Sequence, residues 1–134
     1  MKKVFNIKET KMDEAEITVG EFFINLLHAA TNAHILHLRS RSYSEHMALG
    51  GLYEALPDLV DAVIEGWQGK NSQLIEYPNT YFPPVQGALS MVQGLSDYVQ
   101  ANRAVIGSDS ELQNDMDAIQ SLIDSTIYKL TFLK

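Results

Sequence analysis

Three capping boxes divide the sequence and predict where its helices begin. In a capping box, the hydroxyl of a serine or threonine accepts a hydrogen bond near the start of a helix, three residues before a glutamate or glutamine. The boxes are Thr18 with Glu21, Ser42 with Glu45, and Ser108 with Glu111. Apolar residues at three- and four-residue spacing follow each box, which is typical of amphipathic helices. The pattern therefore predicts an all-α protein.

The first two predicted helices are joined by a short link. Helix one spans roughly 18 to 40, and helix two runs from Ser42 to Gly69, where glycine is a common C-terminal stop. Helix two contains Gly50, Gly51 and Pro57. An interior glycine weakens a helix by about 1 kcal/mol and an interior proline by about 3 kcal/mol. We therefore expect helix two to be bent and to depend on tertiary packing.

Two more helices are predicted after a longer connection. Polar residues from Lys70 to Thr80 interrupt the apolar pattern, and the sequence 81–84, YFPP, predicts the start of helix three, because proline is tolerated in a first helical turn. Helix three ends near Gly107, and helix four continues almost to the C-terminus. Short, long and short links in this order predict an antiparallel four-helix bundle with a long connection between helices two and three.

Length and charge narrow the class of protein. A chain of 134 residues forms one domain, here 1–134 with residues 1–17 as a lysine-bearing lead-in. The absence of cysteine excludes disulfides and thiolate metal sites. The net charge is −7, which argues against nucleic acid as a partner, although the lead-in lysines fit either a DNA contact or an ordinary solvated terminus. Without an apolar run of membrane-spanning length, we expect a soluble cytoplasmic protein that does not contact membranes.

Four potential metal ligands lie at spacings that a single subunit cannot use. They are His34, His46, Asp61 and Glu65. The last three share helix two, and at about 1.5 Å of rise per residue His46 lies roughly 22 Å from Asp61 and about 28 Å from Glu65. Two copies of this helix, packed antiparallel, would bring His46 of one chain beside both carboxylates of the other. Imidazole and carboxylate together suit iron(II), zinc or manganese.

The stretch from His34 to Gln68 resembles the Dps subfamily of ferritin-like proteins. Members carry a histidine near the end of the first helix and a second histidine twelve residues later. An aspartate follows the second histidine by four residues, and an aspartate and a glutamate follow it by fifteen and nineteen. The matching positions here are His34, His46, Gly50, Asp61 and Glu65. The surrounding HMALGGLYEALPDLVDAVIEGWQG is also similar, with an extra aspartate at 58, and so compact a chain is compatible with a phage-encoded member.

The resemblance implies an iron site shared across a two-fold subunit interface. Two histidines of one subunit and the later carboxylates of its mate would hold iron, oxidise Fe(II) with peroxide or oxygen, and serve iron storage or detoxification. The protein would be a homodimer or a higher oligomer. Gly50 stands where the family has a metal-binding aspartate, so one ligand is missing. Glu54, one turn later, and the nearby His37 are the candidate substitutes.

A second hypothesis is a non-catalytic structural or interaction protein. Such a protein would retain the bundle and the dimer interface, with His34, His46 and Asp61 forming a polar network that sets the register of the two subunits. A histidine on an apolar stripe needs a hydrogen bond or a metal for its ring nitrogens, so both hypotheses accommodate His34 and His37. Proton release on metal loading is expected only for the metal site.

Overall fold

The computed structural model describes residues 17–134, which form four α-helices and one short 3₁₀-helix. The α-helices are α1 (Val19–Arg39), α2 (Tyr43–Asn71), α3 (Ala88–Asn102) and α4 (Ser110–Phe132), and the 3₁₀-helix spans Arg103–Ile106. Within residues 17–134 there is no β-strand, so the all-α, four-helix prediction is confirmed. Residues 1–16, which hold nearly all of the predicted lead-in, lie outside the described residues.

The first two predicted N-caps are confirmed. Thr18 Oγ1 accepts a hydrogen bond from the backbone N–H of Glu21 at 3.0 Å, and Ser42 Oγ accepts one from the N–H of Glu45 at 3.3 Å. These bonds satisfy backbone donors that have no partner inside the helix. From its cap, α2 continues without interruption through both glycines and Pro57 to Asn71.

The cap predicted for the fourth helix is wrong by one residue. The N-cap is Asp109, whose Oδ2 accepts a hydrogen bond from the N–H of Leu112 at 3.1 Å. Aspartate caps helices as well as serine does, and Lys70 Nζ lies 3.6 Å from the same carboxylate oxygen. This ion pair favours the Asp109 carboxylate over the Ser108 hydroxyl at the cap.

The predicted start of helix three is also wrong, because α3 begins only at Ala88. Phe82 and Pro83 each precede a proline, and a residue in that position is disfavoured in the α conformation. The segment is instead bound to α1. Asn32 Nδ2 donates to the carbonyl oxygen of Phe82 at 3.1 Å, and the Tyr81 hydroxyl donates to Asn32 Oδ1 at 2.7 Å.

The connection between α2 and α3, residues 72–87, runs alongside α1. Near the start of α1, Gly20 lies directly against the backbone of Glu76. Two turns further along, His28 Nε2 donates to the carbonyl oxygen of Thr80 at 3.0 Å, and the Asn32 bonds follow one turn later. The connection therefore follows α1 from its N-terminal towards its C-terminal half.

Contacts between helices define the direction of α3 and α4. Tyr98, late in α3, stacks 5.8 Å from Phe22 and accepts a hydrogen bond from Asn25, and both residues lie early in α1. Thus α3 runs antiparallel to α1 and in the same direction as α2. At the C-terminal end of α2, Gly66 faces Leu112 at the start of α4, so these two helices are antiparallel.

The core is built from apolar side chains of all four helices. The fully buried side chains include Phe22, Phe23, Leu26, Leu49, Leu52, Leu56, Val92, Val99, Met116, Ile119 and Ile123. Removing such side chains from water supplies most of the favourable free energy of folding. No helix within residues 17–134 is long and apolar enough to cross a membrane.

We expect Gly20→Ala to destabilise the fold, because a β-carbon there would overlap the carbonyl oxygen of Glu76. Overpacking of this kind lowers the free energy of unfolding by about 1–3 kcal/mol. Gly94→Ala is the control: its β-carbon would meet nothing within 4 Å, and alanine in an exposed helix raises the free energy of unfolding by about 0.5–1 kcal/mol. Urea denaturation measures both values, and a Gly20→Ala protein as stable as Gly94→Ala would contradict the close packing.

Candidate functional site

The turn between α1 and α2 stacks two histidine rings. The ring centroids of His37 and His46 are 3.6 Å apart, with 18° between the ring planes. His37 Nδ1 bonds the carbonyl oxygen of His46 at 2.6 Å, and His46 Nδ1 bonds the carbonyl oxygen of His37 at 2.8 Å. A carbonyl oxygen only accepts, so each Nδ1 carries the hydrogen, and in the neutral ring each Nε2 keeps a lone pair. We call this reciprocal pair the histidine clasp.

Gly50 makes room for the clasp. A β-carbon at Gly50 would lie 3.2 Å from Cε1 and 3.3 Å from Nδ1 of the His37 ring, closer than an ordinary van der Waals contact. The His37 ring thus fills the space in front of position 50. His37 and Glu54 are the two residues expected to substitute for the ligand that Gly50 lacks, and of these His37 lies against position 50. Glu54 is exposed, and no basic nitrogen of residues 17–134 lies within 4.0 Å of its carboxylate.

Tyr53 holds the third histidine beside the clasp. The exposed His34 ring stacks on the Tyr53 ring with centroids 3.9 Å apart and planes within 4°. Tyr53 also lies 5.1 Å from the His37 ring, and the rings of His34 and His37 are 6.1 Å apart. Tyr53 was missed as a site residue. Its position, seven residues after His46 and therefore on the same side of α2, is the signal that would have identified it.

The carboxylates lie at the other end of α2. Asp61 and Glu65 are exposed, and because α2 is continuous they stay roughly 22 Å and about 28 Å from His46. Burial raises the pKa of Tyr77, and the charge of the nearby Asp61 carboxylate raises it further. Within residues 17–134 no three histidine, aspartate or glutamate side chains are grouped closely enough to hold a metal ion. Within one subunit, the three histidines at the α1–α2 turn lie near the start of α2, and Asp61 and Glu65 lie near its end.

His28 has a different role from the three histidines at the turn. Its Nε2 donates a hydrogen bond to the carbonyl oxygen of Thr80, so His28 is the Nε2–H tautomer, whereas His37 and His46 are Nδ1–H tautomers. The His28 ring also contacts the Tyr81 ring edge-on, with centroids 4.9 Å apart. Together with Asn25 and Asn32, it forms a polar row at three- and four-residue spacing on α1. This regular spacing of polar residues is the feature of the sequence that would have identified the side chains of α1 that bind the connection and α3.

The comparisons with known proteins give a family without an assigned activity. A family model described as a family of unknown function (DUF5856) matches residues 37–130, more than half of the chain. The match begins at the first clasp histidine and includes Gly50, Asp61 and Glu65. No match was found among curated proteins or among solved structures.

Gly50→Asp is expected to displace the His37 ring and break its hydrogen bond to His46. In the wild-type protein, imidazole ¹⁵N shifts should show His37 and His46 as Nδ1–H tautomers and His28 as the Nε2–H tautomer. The variant should lose the His37 pattern and keep that of His28. Gly51→Asp is the matched control, because a β-carbon at Gly51 meets nothing within 4 Å. Unchanged His37 shifts in Gly50→Asp would contradict this packing.

Proposed function

The chain belongs to a family of unknown function (DUF5856), and we propose from the chemistry of its histidines and carboxylates that it binds divalent metal ions at a two-fold subunit interface. The expected ion is iron(II), and zinc or manganese suits the same ligands. One subunit supplies His34, His46 and His37, and a second copy supplies Asp61 and Glu65. His37 takes the place of the ligand that Gly50 does not provide.

The histidine clasp is the observation that carries this proposal. Metal-binding histidines almost always donate their other ring N–H to a carbonyl or carboxylate, which fixes the tautomer and makes the binding nitrogen more basic. His37 and His46 have this arrangement, with each Nδ1 committed to a backbone carbonyl. Each Nε2 therefore has its lone pair available, and the His34 ring lies next to the pair.

The carboxylates of α2 supply the charge that such a site needs. Glu54, Asp58, Asp61 and Glu65 are all exposed, and none is within 4.0 Å of a basic nitrogen in residues 17–134. Asp61 and Glu65 together neutralise one divalent ion, which lowers the cost of removing that ion from water. Their distance from His46 in one chain is the reason for assigning them to a second copy.

We assign the bundle to the ferritin-like fold. One long crossover connection distinguishes ferritin-like bundles from simple up-and-down bundles. The connection along α1 and the shared direction of α2 and α3 support this assignment. With iron(II) as the substrate, a Dps-like site oxidises it with oxygen or peroxide, so that the protein stores or detoxifies iron.

A non-catalytic structural protein is the second candidate, and one observation favours it. The clasp satisfies both Nδ1 atoms inside one subunit, so it closes the α1–α2 turn without any ion. In this hypothesis His34, His46 and Asp61 belong to a polar network at a dimer interface. Metal titration separates the two functions.

We expect the metal-free protein to bind Co(II), a probe with visible absorption, and to release protons as it does so. His34→Gln, and separately the pair Asp61→Asn with Glu65→Gln, should weaken binding by about 10- to 100-fold or more. Asp97→Asn, an exposed aspartate on α3, is the control and should bind like the wild type. Aerobic Fe(II) oxidation, followed by near-ultraviolet absorbance against a protein-free blank, should lose its protein-dependent part in the same variants. Absence of Co(II) binding in the wild type would favour the structural hypothesis.

A mixing experiment tests whether the site is shared. A His34→Gln chain and an Asp61→Asn, Glu65→Gln chain each lack one half of every site. After unfolding and refolding as an equal mixture, each mixed dimer contains one intact site, so random pairing should restore about a quarter of the wild-type Co(II) capacity. Each variant refolded alone is the control. A mixture that binds no more Co(II) than its components would contradict a shared site.

A further inference from the structure

An open cleft lies where the described chain enters α1. Its volume is about 760 Å³, and it is bounded by the first residues of α1, the C-terminal part of α2 and the start of the connection. Leu74 is 79% exposed and Tyr77 is 41% exposed, so much of the apolar surface in the cleft has no cover within residues 17–134. The apolar side chains that line the cleft are Val19, Trp67, Leu74, Ile75, Tyr77 and Pro78.

Backbone contacts hold the walls of this cleft in place. Ser72, in the left-handed conformation, ends α2 and turns the chain. The backbone N–H of Ile75 donates to Gln68 Oε1 at 3.0 Å, which ties the connection to α2. Gly20 lies directly against the backbone of Glu76, which ties the connection to α1. The cleft is therefore a fixed feature of the fold.

Carboxylates give the cleft a negative charge. Glu76 lines it. Burial raises the pKa of the Tyr77 hydroxyl and the charge of Asp61 adds to this rise, so the Asp61 carboxylate lies close to the cleft as well. No basic nitrogen of residues 17–134 lies within 4.0 Å of either carboxylate, and Lys70 is already paired with two carboxylates at the start of α4. The cleft therefore suits a ligand that is both apolar and positively charged.

The beginning of the chain has this chemistry. Residues 2–8, with the sequence KKVFNIK, contain three lysines, three large apolar side chains and no acid. They lie outside the described residues, and the described chain begins at Ile17, next to Thr18, which itself lines the cleft. The eight residues 9–16 can span up to about 26 Å, so residues 2–8 are within reach of the cleft.

We propose that residues 2–8 bind in this cleft of their own chain. Covering Trp67 and Leu74 with Phe5 and its apolar neighbours removes apolar surface from water. Lysine stems extend this cover while their ammonium groups stay beside the carboxylates of the cleft. The N-terminal lysines are then engaged within the chain and not with DNA. The argument uses no metal ligand on a second copy, so it goes beyond the proposed function.

Trp67 reports on the cleft, because it is the only tryptophan of the chain and lines the cleft. In the metal-free, full-length protein, Phe5→Ser should raise the constant for acrylamide quenching of Trp67 about two-fold or more, since the segment no longer covers the indole. Lys2→Glu with Lys3→Glu should have the same effect, because the reversed charges meet the carboxylates of the cleft. Lys2→Arg with Lys3→Arg keeps the charge and should be quenched like the wild type.

A change inside the cleft provides the second variant. Leu74→Ser should also raise the quenching of Trp67, whereas Leu38→Ser, which alters an exposed leucine at the other end of α1, should not. When Leu74→Ser is combined with Phe5→Ser, the two increases should not add, because both variants lose the same contact. Fully additive increases would overturn the proposal.

Energy transfer tests proximity directly, because the chain has no cysteine of its own. Asn6→Cys, labelled with an acceptor of tryptophan fluorescence, should quench Trp67, and adding Phe5→Ser should relieve most of that quenching. Quenching that does not depend on protein concentration supports binding within one chain. Quenching that rises with concentration shows exchange between copies and overturns it. Equal acrylamide access to Trp67 in the wild type and in Phe5→Ser also overturns the proposal and leaves the cleft open to another ligand.

Discussion

The reciprocal hydrogen bonds between His37 and His46 are the interaction on which the rest of the site depends. They join the end of α1 to the start of α2 and determine the tautomers of two rings. They also explain a glycine in the buried part of α2, because the His37 ring occupies the space that a side chain at position 50 would need. Closing this turn lays α2 beside α1 with its remaining face towards solvent. Both the proposed metal site and the proposed subunit contact depend on that orientation.

The two sides of α1 show how position determines what a histidine does. His28 lies on the side of α1 that faces the connection, and its Nε2 donates a hydrogen bond to the carbonyl oxygen of Thr80. This nitrogen is therefore not available as a metal ligand. The clasp histidines use Nδ1 instead, which leaves Nε2 available. Helix α1 therefore both binds the longest connection of the described chain and orients a group of imidazole rings. The backbone carbonyl beside each ring determines which of its nitrogens donates a hydrogen bond and which stays free.

Local sequence signals predicted some of these features and missed others for physical reasons. Helix number and the caps at Thr18 and Ser42 followed from periodicity and hydroxyl chemistry, because both act within a few residues. The start at Ala88 was not predicted, because Phe82 and Pro83 each precede a proline and because Asn32 of α1 binds the carbonyl oxygen of Phe82. The cap at Asp109 was not predicted, because its partner Lys70 is distant in sequence. The separation of His46 from the carboxylates followed from helix rise alone. The contacts of Tyr53 and Gly50 with the histidines depend on how two helices pack, which no single pattern encodes.

The uninterrupted length of α2 restricts how related chains can vary. One residue gained or lost between the histidine end and the carboxylate end of α2 would turn everything beyond it by about 100° around the helix axis. Asp61 and Glu65 would then leave the exposed side of α2 that they now occupy. Residues 72–87 contain no helix, so a residue gained or lost there does not rotate later side chains around a helix axis. Differences in chain length among relatives should therefore accumulate in the connection, while α2 keeps a constant number of residues.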